Sequence, residues 1–236
     1  METLYYIVLI PMVYVAMGIF VIGTTARVIT LFTAPRHGVP LTIYPEKKPR
    51  WLFALYDTFL LPTVRRHKPL LWIFLMVFHF GLLLLTIGHI ELFADVALFQ
   101  IVPHEIFIGQ GWVGITIIFC ILYFLFRRFH GTVREISVPE DYLLLILLLL
   151  TALFGSQMDL ARTWYGYGDM EVADYREYLL SLLVLKPVVP DNIMMSGHAF
   201  MLVMHVFFAN LFFMFFPFSH LMHAIISLPA NKLRRG

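Results

Sequence analysis

One cysteine, Cys120, is all the thiol that the 236 residues contain. That excludes an internal disulfide, a C-x-x-C-H haem attachment, and any iron–sulfur cluster held by cysteines of this chain alone. If iron–sulfur chemistry is involved, a partner supplies it. Charge is also scarce. Only 14% of the residues are charged, 60% are hydrophobic, and the mean hydropathy is +0.82. A soluble fold needs more polar shell than this, so the chain reads as an integral membrane protein. No basic cluster interleaved with aromatics forms a nucleic-acid surface, which argues against a nucleic-acid partner. No H-E-x-x-H zinc pair, G-x-S-x-G elbow or P-loop occurs, and the histidines are too dispersed for a copper oxidase centre. The start, Met1-Glu2-Thr3-Leu4, lacks a basic n-region, and no small-residue cleavage pattern follows the first apolar stretch, so that stretch is expected to be a retained helix. Without an internal repeat, a low-complexity tract or a separate soluble domain, residues 1–236 read as a single membrane domain.

What the chain does have is long apolar runs. Five are long enough to cross a bilayer as helices, at about residues 5–31, 70–92, 111–126, 142–158 and 197–228. Between the first two lies a polar connection, 32–69. Within it Trp51-Leu52-Phe53-Ala54-Leu55-Tyr56-Asp57-Thr58-Phe59-Leu60-Leu61 is too short to span. Its aromatics and basic flanks suit a segment lying in the membrane interface, or a loop packed on a partner. A second long loop, 159–196, carries Tyr165, Tyr167, Tyr175 and Tyr178 and six of the 15 acidic residues.

Five spans put the termini on opposite sides. Counting Arg27 with the loop it enters, the 32–69 connection, the 127–141 turn and the C-terminal tail hold fourteen of the 17 Lys and Arg, and the opposite face holds Arg162, Arg176 and Lys186. By the positive-inside rule the C-terminus is cytoplasmic and the N-terminus outside, in the cytoplasmic (inner) membrane of the cell. On the basic side, Arg127, Arg128 and Arg134, with the tail through Arg235, either face a partner and haem carboxylates, which favour guanidinium forks, or reflect topology alone.

Histidine is the residue that stands out in the apolar runs. His79 and His89 lie in the second span, His205 and His223 in the fifth. An unpartnered imidazole in hydrocarbon is expensive, so each is a functional candidate. At 100° per residue the 18-residue step from His205 to His223 is five whole turns, while the 10-residue step from His79 to His89 falls about 80° short of three. The second span runs outward and the fifth inward, so His79 lies at the depth of His223, near the cytoplasm, and His89 at the depth of His205, near the outside. Two such pairs can hold two haems, each iron bound by an imidazole from either helix. The competing reading is four hydrogen-bonded core histidines. Ten residues rise about 15 Å and eighteen about 27 Å, so level pairing needs tilted haems, a tilted fifth helix or a kink at Pro217. Of the remaining histidines, His37, His67 and His130 fall in cytoplasmic connections and His104 in the outer loop. His198 sits seven residues before His205 and could replace it or support it. His220 could contact a haem propionate.

Phe78-His79-x-Gly81 with Gly88-His89, and His205 with Phe216-Pro217-Phe218-Ser219-x-Leu221-x-His223, make the chain resemble the di-haem cytochrome b subunit of respiratory nitrate reductase, its gamma subunit. They equally resemble that subunit's relatives in the Dsr, Tmc and heterodisulfide reductase complexes. Arg127-Arg128 with Val133-Arg134 resembles the family's turn after the third span. The resemblance implies an all-α membrane protein whose five transmembrane helices enclose two b-type haems, with His79, His89, His205 and His223 as axial ligands. It also implies a quinone site at the outer haem beside Gly88 and His89, and exchange with a cytoplasmic iron–sulfur subunit. That subunit would be heterodisulfide-reductase-like or nitrate-reductase-beta-like, and further membrane or extracytoplasmic cytochrome subunits could join the complex. The nitrate reductase subunit carries a quinol-positioning lysine after the second span, where this chain reads Pro103-His104-Glu105-Ile106-Phe107. The stretch Arg65-Arg66-His67-Lys68-Pro69 is closer to the Dsr and Tmc branch.

Two functions therefore compete. One is the electron-transfer subunit of a menaquinone-linked oxidoreductase, and the other is a haem-free anchor or transport component with a histidine proton relay. A transporter usually shows interrupted helices and repeated halves, and neither is evident here. In the first reading quinol oxidised at the outer side, with His104 or Glu105 accepting protons and His104 favoured by a side-chain pKa near neutrality, releases protons outside while electrons move inward.

Overall fold

The computed structural model describes residues 2–33, 48–93, 112–165, 172–195 and 199–234. Among these the ordered structure is entirely helical. In chain order the helices are α1 (Glu2–Leu9), α2 (Pro11–Thr33), α3 (Arg50–Leu60), α4 (Pro62–His67), α5 (Pro69–Glu91), α6 (Trp112–Phe129), α7 (Gly131–Glu135), α8 (Pro139–Tyr165), α9 (Val172–Leu183), α10 (Asp191–Met195), α11 (Ala199–Phe215) and α12 (His223–Leu233). Five stretches are long and apolar enough to cross a membrane: Glu2–Thr33, Pro69–Glu91, Trp112–Phe129, Pro139–Met158 and Ala199–Phe218. They match the five apolar runs, with the ends moved.

The largest change is in the fifth. The run to residue 228 is not one helix. α11 stops at Phe215, two 3-10 turns follow at Phe216–Phe218 and His220–Met222, and His223 is the first residue of α12. Pro217 has no N–H to give the ladder, and the Ser219 hydroxyl accepts from the Leu221 N–H at 3.1 Å, capping the second turn. Counting turns from His205 to His223 therefore fails, because the 100° step holds only within an unbroken helix. The 159–196 stretch also differs from the expected long loop. α8 runs on to Tyr165, and α9 follows. Tyr175, Tyr178, Leu179 and Leu182 fall at i, i+3, i+4 and i+7, an amphipathic signature.

The chain folds as two compact units, one of residues 1–17 and 77–212, the other of 18–76 and 213–236. In the first, Val8, Leu9, Ile10, Tyr178, Leu182, Ile193, Leu202 and Val203 form the core. The break at Pro11 is repaired by side chains from distant helices. The Tyr178 hydroxyl donates to the Leu9 carbonyl and Asn210 Nδ2 to the Val8 carbonyl at 3.2 Å, while from α2 the Tyr14 hydroxyl donates outward to the Leu182 carbonyl of α9 at 2.9 Å. Such repair is what makes a proline tolerable inside an apolar helix. Burial, followed by the neighbouring phenol of Tyr14, holds the Tyr178 hydroxyl above its ordinary range, so it remains a donor. Removing this one donor with Tyr178→Phe should lower stability by about 1 kcal/mol, read as an earlier thermal unfolding midpoint in detergent with unchanged helix content.

In the second unit, α3 packs against α12 through Ala54, which has no exposed surface, and Asn231 Nδ2 donates to Thr58 Oγ1 at 2.9 Å. The segment expected in the interface or on a partner is a helix, and it also packs on its own chain. Leu61, at φ 43°, separates α3 from α4, and Pro62 opens α4. The Trp72 indole N–H donates to the Leu60 carbonyl at 2.8 Å, with the Arg65 guanidinium 5.5 Å above its ring. Phe20 of α2 meets Phe213 and Phe216 edge-on. At Gly23 an added Cβ would fall 2.7 Å from Pro217 Cβ, so this contact admits no side chain.

Candidate functional site

His89 and His205 come together in the first unit. His89 sits in the last turn of α5 and His205 near the middle of α11. Their ring centroids are 6.3 Å apart and their planes 23° from parallel. That separation alone would suit an aromatic pair. It also suits one iron between two imidazoles: ring nitrogens about 2 Å from a metal put the ring centres on the order of 6 Å apart.

The hydrogen bonds decide which nitrogen is available. His205 Nδ1 lies 2.9 Å from the Thr151 carbonyl of α8, and His89 Nδ1 lies 2.6 Å from the Leu85 carbonyl. A carbonyl only accepts, so each Nδ1 carries the proton and each Nε2 presents a lone pair, the arrangement expected of a metal-ligating imidazole. His130, on a connecting turn, makes the same local bond to Phe126, so the bond of His89 does not by itself distinguish a ligand. That of His205 reaches a different helix, 54 residues away in sequence.

Gly155 makes this reach possible. A Cβ there would lie 3.0 Å from both Cε1 and Nδ1 of His205, closer than ordinary van der Waals contact. Thr151 itself donates from Oγ1 to the Leu147 carbonyl at 2.8 Å, a back-bond that tends to bend a helix. Neither residue stands out as a histidine does. The only sequence signal for Gly155 is a glycine inside an apolar helix, where it costs about 1 kcal/mol relative to alanine.

The other expected site residues are placed as follows. Gly88 is buried next to His89. His79 is exposed on α5, edge-on to Phe78 at 5.3 Å. Two residues on, Gly81 lets α5 lie against α6, where a Cβ would meet Ile117 Cγ1 at 3.1 Å. His223 belongs to the second unit, is exposed, and has Nδ1 3.0 Å from the His220 carbonyl. Arg128 closes the turn between α6 and α8. Its Nη1 lies 2.9 Å from Asp141 Oδ2 and 3.0 Å from Ser137 Oγ, and its carbonyl accepts the Tyr142 hydroxyl at 2.7 Å. Arg127, half-buried, makes no ion pair among the described residues. His104, Glu105, His37, His198 and Arg235 lie outside the described residues.

The sequence reading passed over Glu91 and Arg176. Glu91 is 3% exposed at the end of α5, and Arg176 of α9 donates to its backbone carbonyl at 3.2 Å. A guanidinium at a helix C-terminus meets the negative end of the helix dipole, so Arg176 fastens the end of α5 that carries His89. Among the described residues no group of three or more His, Cys, Asp or Glu could cage a bare metal ion.

Residues 64–236 match the family described as nitrate reductase gamma subunit. The nitrate reductase gamma chain of Bacillus subtilis (strain 168) is 28% identical over 173 residues, 68% of this chain and 74% of that protein. The Hdr-like menaquinol oxidoreductase cytochrome b-like subunit of Archaeoglobus fulgidus is 32% identical over 171 residues, 65% of this chain and 47% of that protein. The chain thus spans about half the length of this second relative.

Proposed function

The chain belongs to the nitrate reductase gamma subunit family, and from that premise we propose that it is the membrane electron-transfer subunit of a menaquinone-linked oxidoreductase. It exchanges electrons between menaquinol and a cytoplasmic iron–sulfur subunit and holds two b haems. The observation that carries this reading is the His89–His205 pair, 6.3 Å apart with both Nδ1 atoms anchored. His79 and His223 are assigned to the inner haem on the sequence pattern and the family resemblance. Bound between such imidazoles, haem b supplies a one-electron couple.

The chain's own residues do the rest. The Thr151 carbonyl fixes the tautomer and orientation of His205, Gly155 admits its ring, and the Leu85 carbonyl does for His89 what Thr151 does for His205. Gly88 and His89 lie at the end of α5 that the proposal places outside, beside the quinone. Arg127 and Arg134 are guanidiniums for a propionate or for the partner, Arg128 being held by Asp141. The termini follow the basic residues, with the C-terminus cytoplasmic and the N-terminus outside. Carrying an electron inward against the membrane potential costs about 2.3 kcal/mol per 100 mV, so proton release on the outside conserves energy when quinol is the donor. A sulfur-respiration complex of the Dsr or Tmc kind fits best, supported by the Arg65-Arg66-His67-Lys68-Pro69 stretch and the relative named for heterodisulfide-reductase-like menaquinol oxidation. The alternative partner is a nitrate-reductase-beta-like subunit, supported by the Bacillus relative.

A dithionite-reduced minus oxidised spectrum of the purified subunit is expected to show a b-type alpha band that a menaquinol analogue partly develops. A spectrum without haem would leave the histidines as a proton relay and reject the electron-transfer role.

A further inference from the structure

In the second unit, α2, α3 and α12 line a cavity of about 450 Å³, within the roughly 300–1,000 Å³ usual for small-molecule sites. Its wall is apolar, formed by residues such as Leu31, Phe32, Trp51, Ala54 and Leu228, with Lys232 the single charged residue among the described lining residues. Lys232 is exposed and has no acidic partner among the described residues. Pro229, inside α12, removes one rung of that helix's ladder where the helix borders the cavity.

The electrostatic setting is one-sided. The described residues of this unit include eight cations, Arg27, Lys48, Arg50, Arg65, Arg66, Lys68, Lys232 and Arg234, and one carboxylate, Asp57. α3 begins at Arg50 and exposes Trp51, Leu52 and Phe59, the mixture of cation, aromatic and aliphatic side chains that seats a helix at the headgroup level. An apolar slot with one lysine in its lining, set in a strongly basic surface at the end of membrane-spanning helices, is complementary to an amphiphile with an anionic head.

We infer that this cavity is a binding site for one anionic phospholipid of the surrounding bilayer, with an acyl chain between α2, α3 and α12 and the phosphate on Lys232. A neutral amphiphile such as a quinone would fit the wall but would gain nothing from the basic surround. The lipid joins α3 to the spanning helices, so the site also steadies the basic face. It is independent of the haem ligands and stands whether or not the electron-transfer reading does.

The test reconstitutes the full chain into nanodiscs of equal phosphatidylglycerol and phosphatidylcholine, re-extracts it in mild detergent and counts retained lipids by native mass spectrometry. The wild type and Lys232→Arg should retain phosphatidylglycerol several-fold over phosphatidylcholine, and Lys232→Glu should lose the preference while keeping its helix content. Leu228→Trp, which fills the cavity, should retain neither lipid. Lys232 is exposed, so the charge reversal remains a valid test even if the tryptophan variant does not fold. Equal retention of the two lipids by the wild type, an unchanged preference in Lys232→Glu, or displacement of the bound lipid by added menaquinone would each overturn the proposal.

Discussion

Replacing His205 with alanine is expected to halve the haem b of the purified protein, measured as pyridine haemochromogen per polypeptide, and to leave one step in a redox titration where the wild type shows two. The imidazole does two things at once. It lies 6.3 Å from the His89 ring with its Nε2 not held by the Thr151 bond, and it ties α11 to α8 through the Thr151 carbonyl. Alanine removes the ligand and the bond to the Thr151 carbonyl, and leaving that carbonyl without its partner costs stability besides, on the order of 1–3 kcal/mol. His89→Ala should remove the same haem, whereas His79→Ala and His223→Ala should remove the other. His37→Ala and His130→Ala should change neither, although His130 makes a hydrogen bond of the same kind as His89. Retention of both haems by His205→Ala would transfer the ligand role to His198, seven residues earlier.

The second large effect concerns a residue with no side chain. Gly155→Val is expected to lose the same haem as His205→Ala, with His205 intact. A Cβ at 3.0 Å from the imidazole already requires the ring to give by a few tenths of an ångström, and valine adds two methyl groups fixed at χ1. The ring would have to leave the Thr151 carbonyl, freeing Nδ1 and moving the imidazole from its place beside His89. Overpacking of this kind typically costs about 1–3 kcal/mol, so the protein should still fold. Gly155→Ala should keep the haem with a shifted midpoint potential and a changed low-spin resonance, because alanine displaces the ligand without expelling it. Equal haem content and identical potentials in wild type, alanine and valine variants would show that His205 does not need this approach.

Gly155 also shows where the sequence is hard to read. The five spans are legible because an apolar run of about 20 residues has one stable form in a bilayer, and the four histidines are legible because imidazole is rare and costly there. A glycine in such a helix carries no chemical label, and its purpose exists only through a ring 50 residues away. The break at Pro217 was half-legible. The proline marks a kink, but whether the chain bends or stops its helix depends on Ser219, whose hydroxyl caps a new turn. α9 was overlooked for another reason. Its tyrosines and acids have the composition of a loop, and only the spacing of Tyr175, Tyr178, Leu179 and Leu182 betrays a helix with one buried face. Arg128 reads as a free cation in the string of basic residues, yet Asp141, thirteen residues later, already engages it.

The hydrogen bonds at Pro11 also bear on how the chain is made. The carbonyls of Val8 and Leu9 are met by Asn210 and Tyr178, and the phenol of Tyr14 by the carbonyl of Leu182, partners 168 to 202 residues downstream. The first span enters the bilayer early in synthesis, while these partners have yet to leave the ribosome. Contacts of such sequence separation form slowly. During that interval the turn at Ile10 holds polar backbone groups in an apolar setting, so the nascent helix must stay near the translocon, near water or in the company of another protein until α9 and α11 arrive. Truncation after residue 195 would leave Val8 without Asn210, and arrested chains of that length are the ones a membrane quality-control protease would be expected to remove.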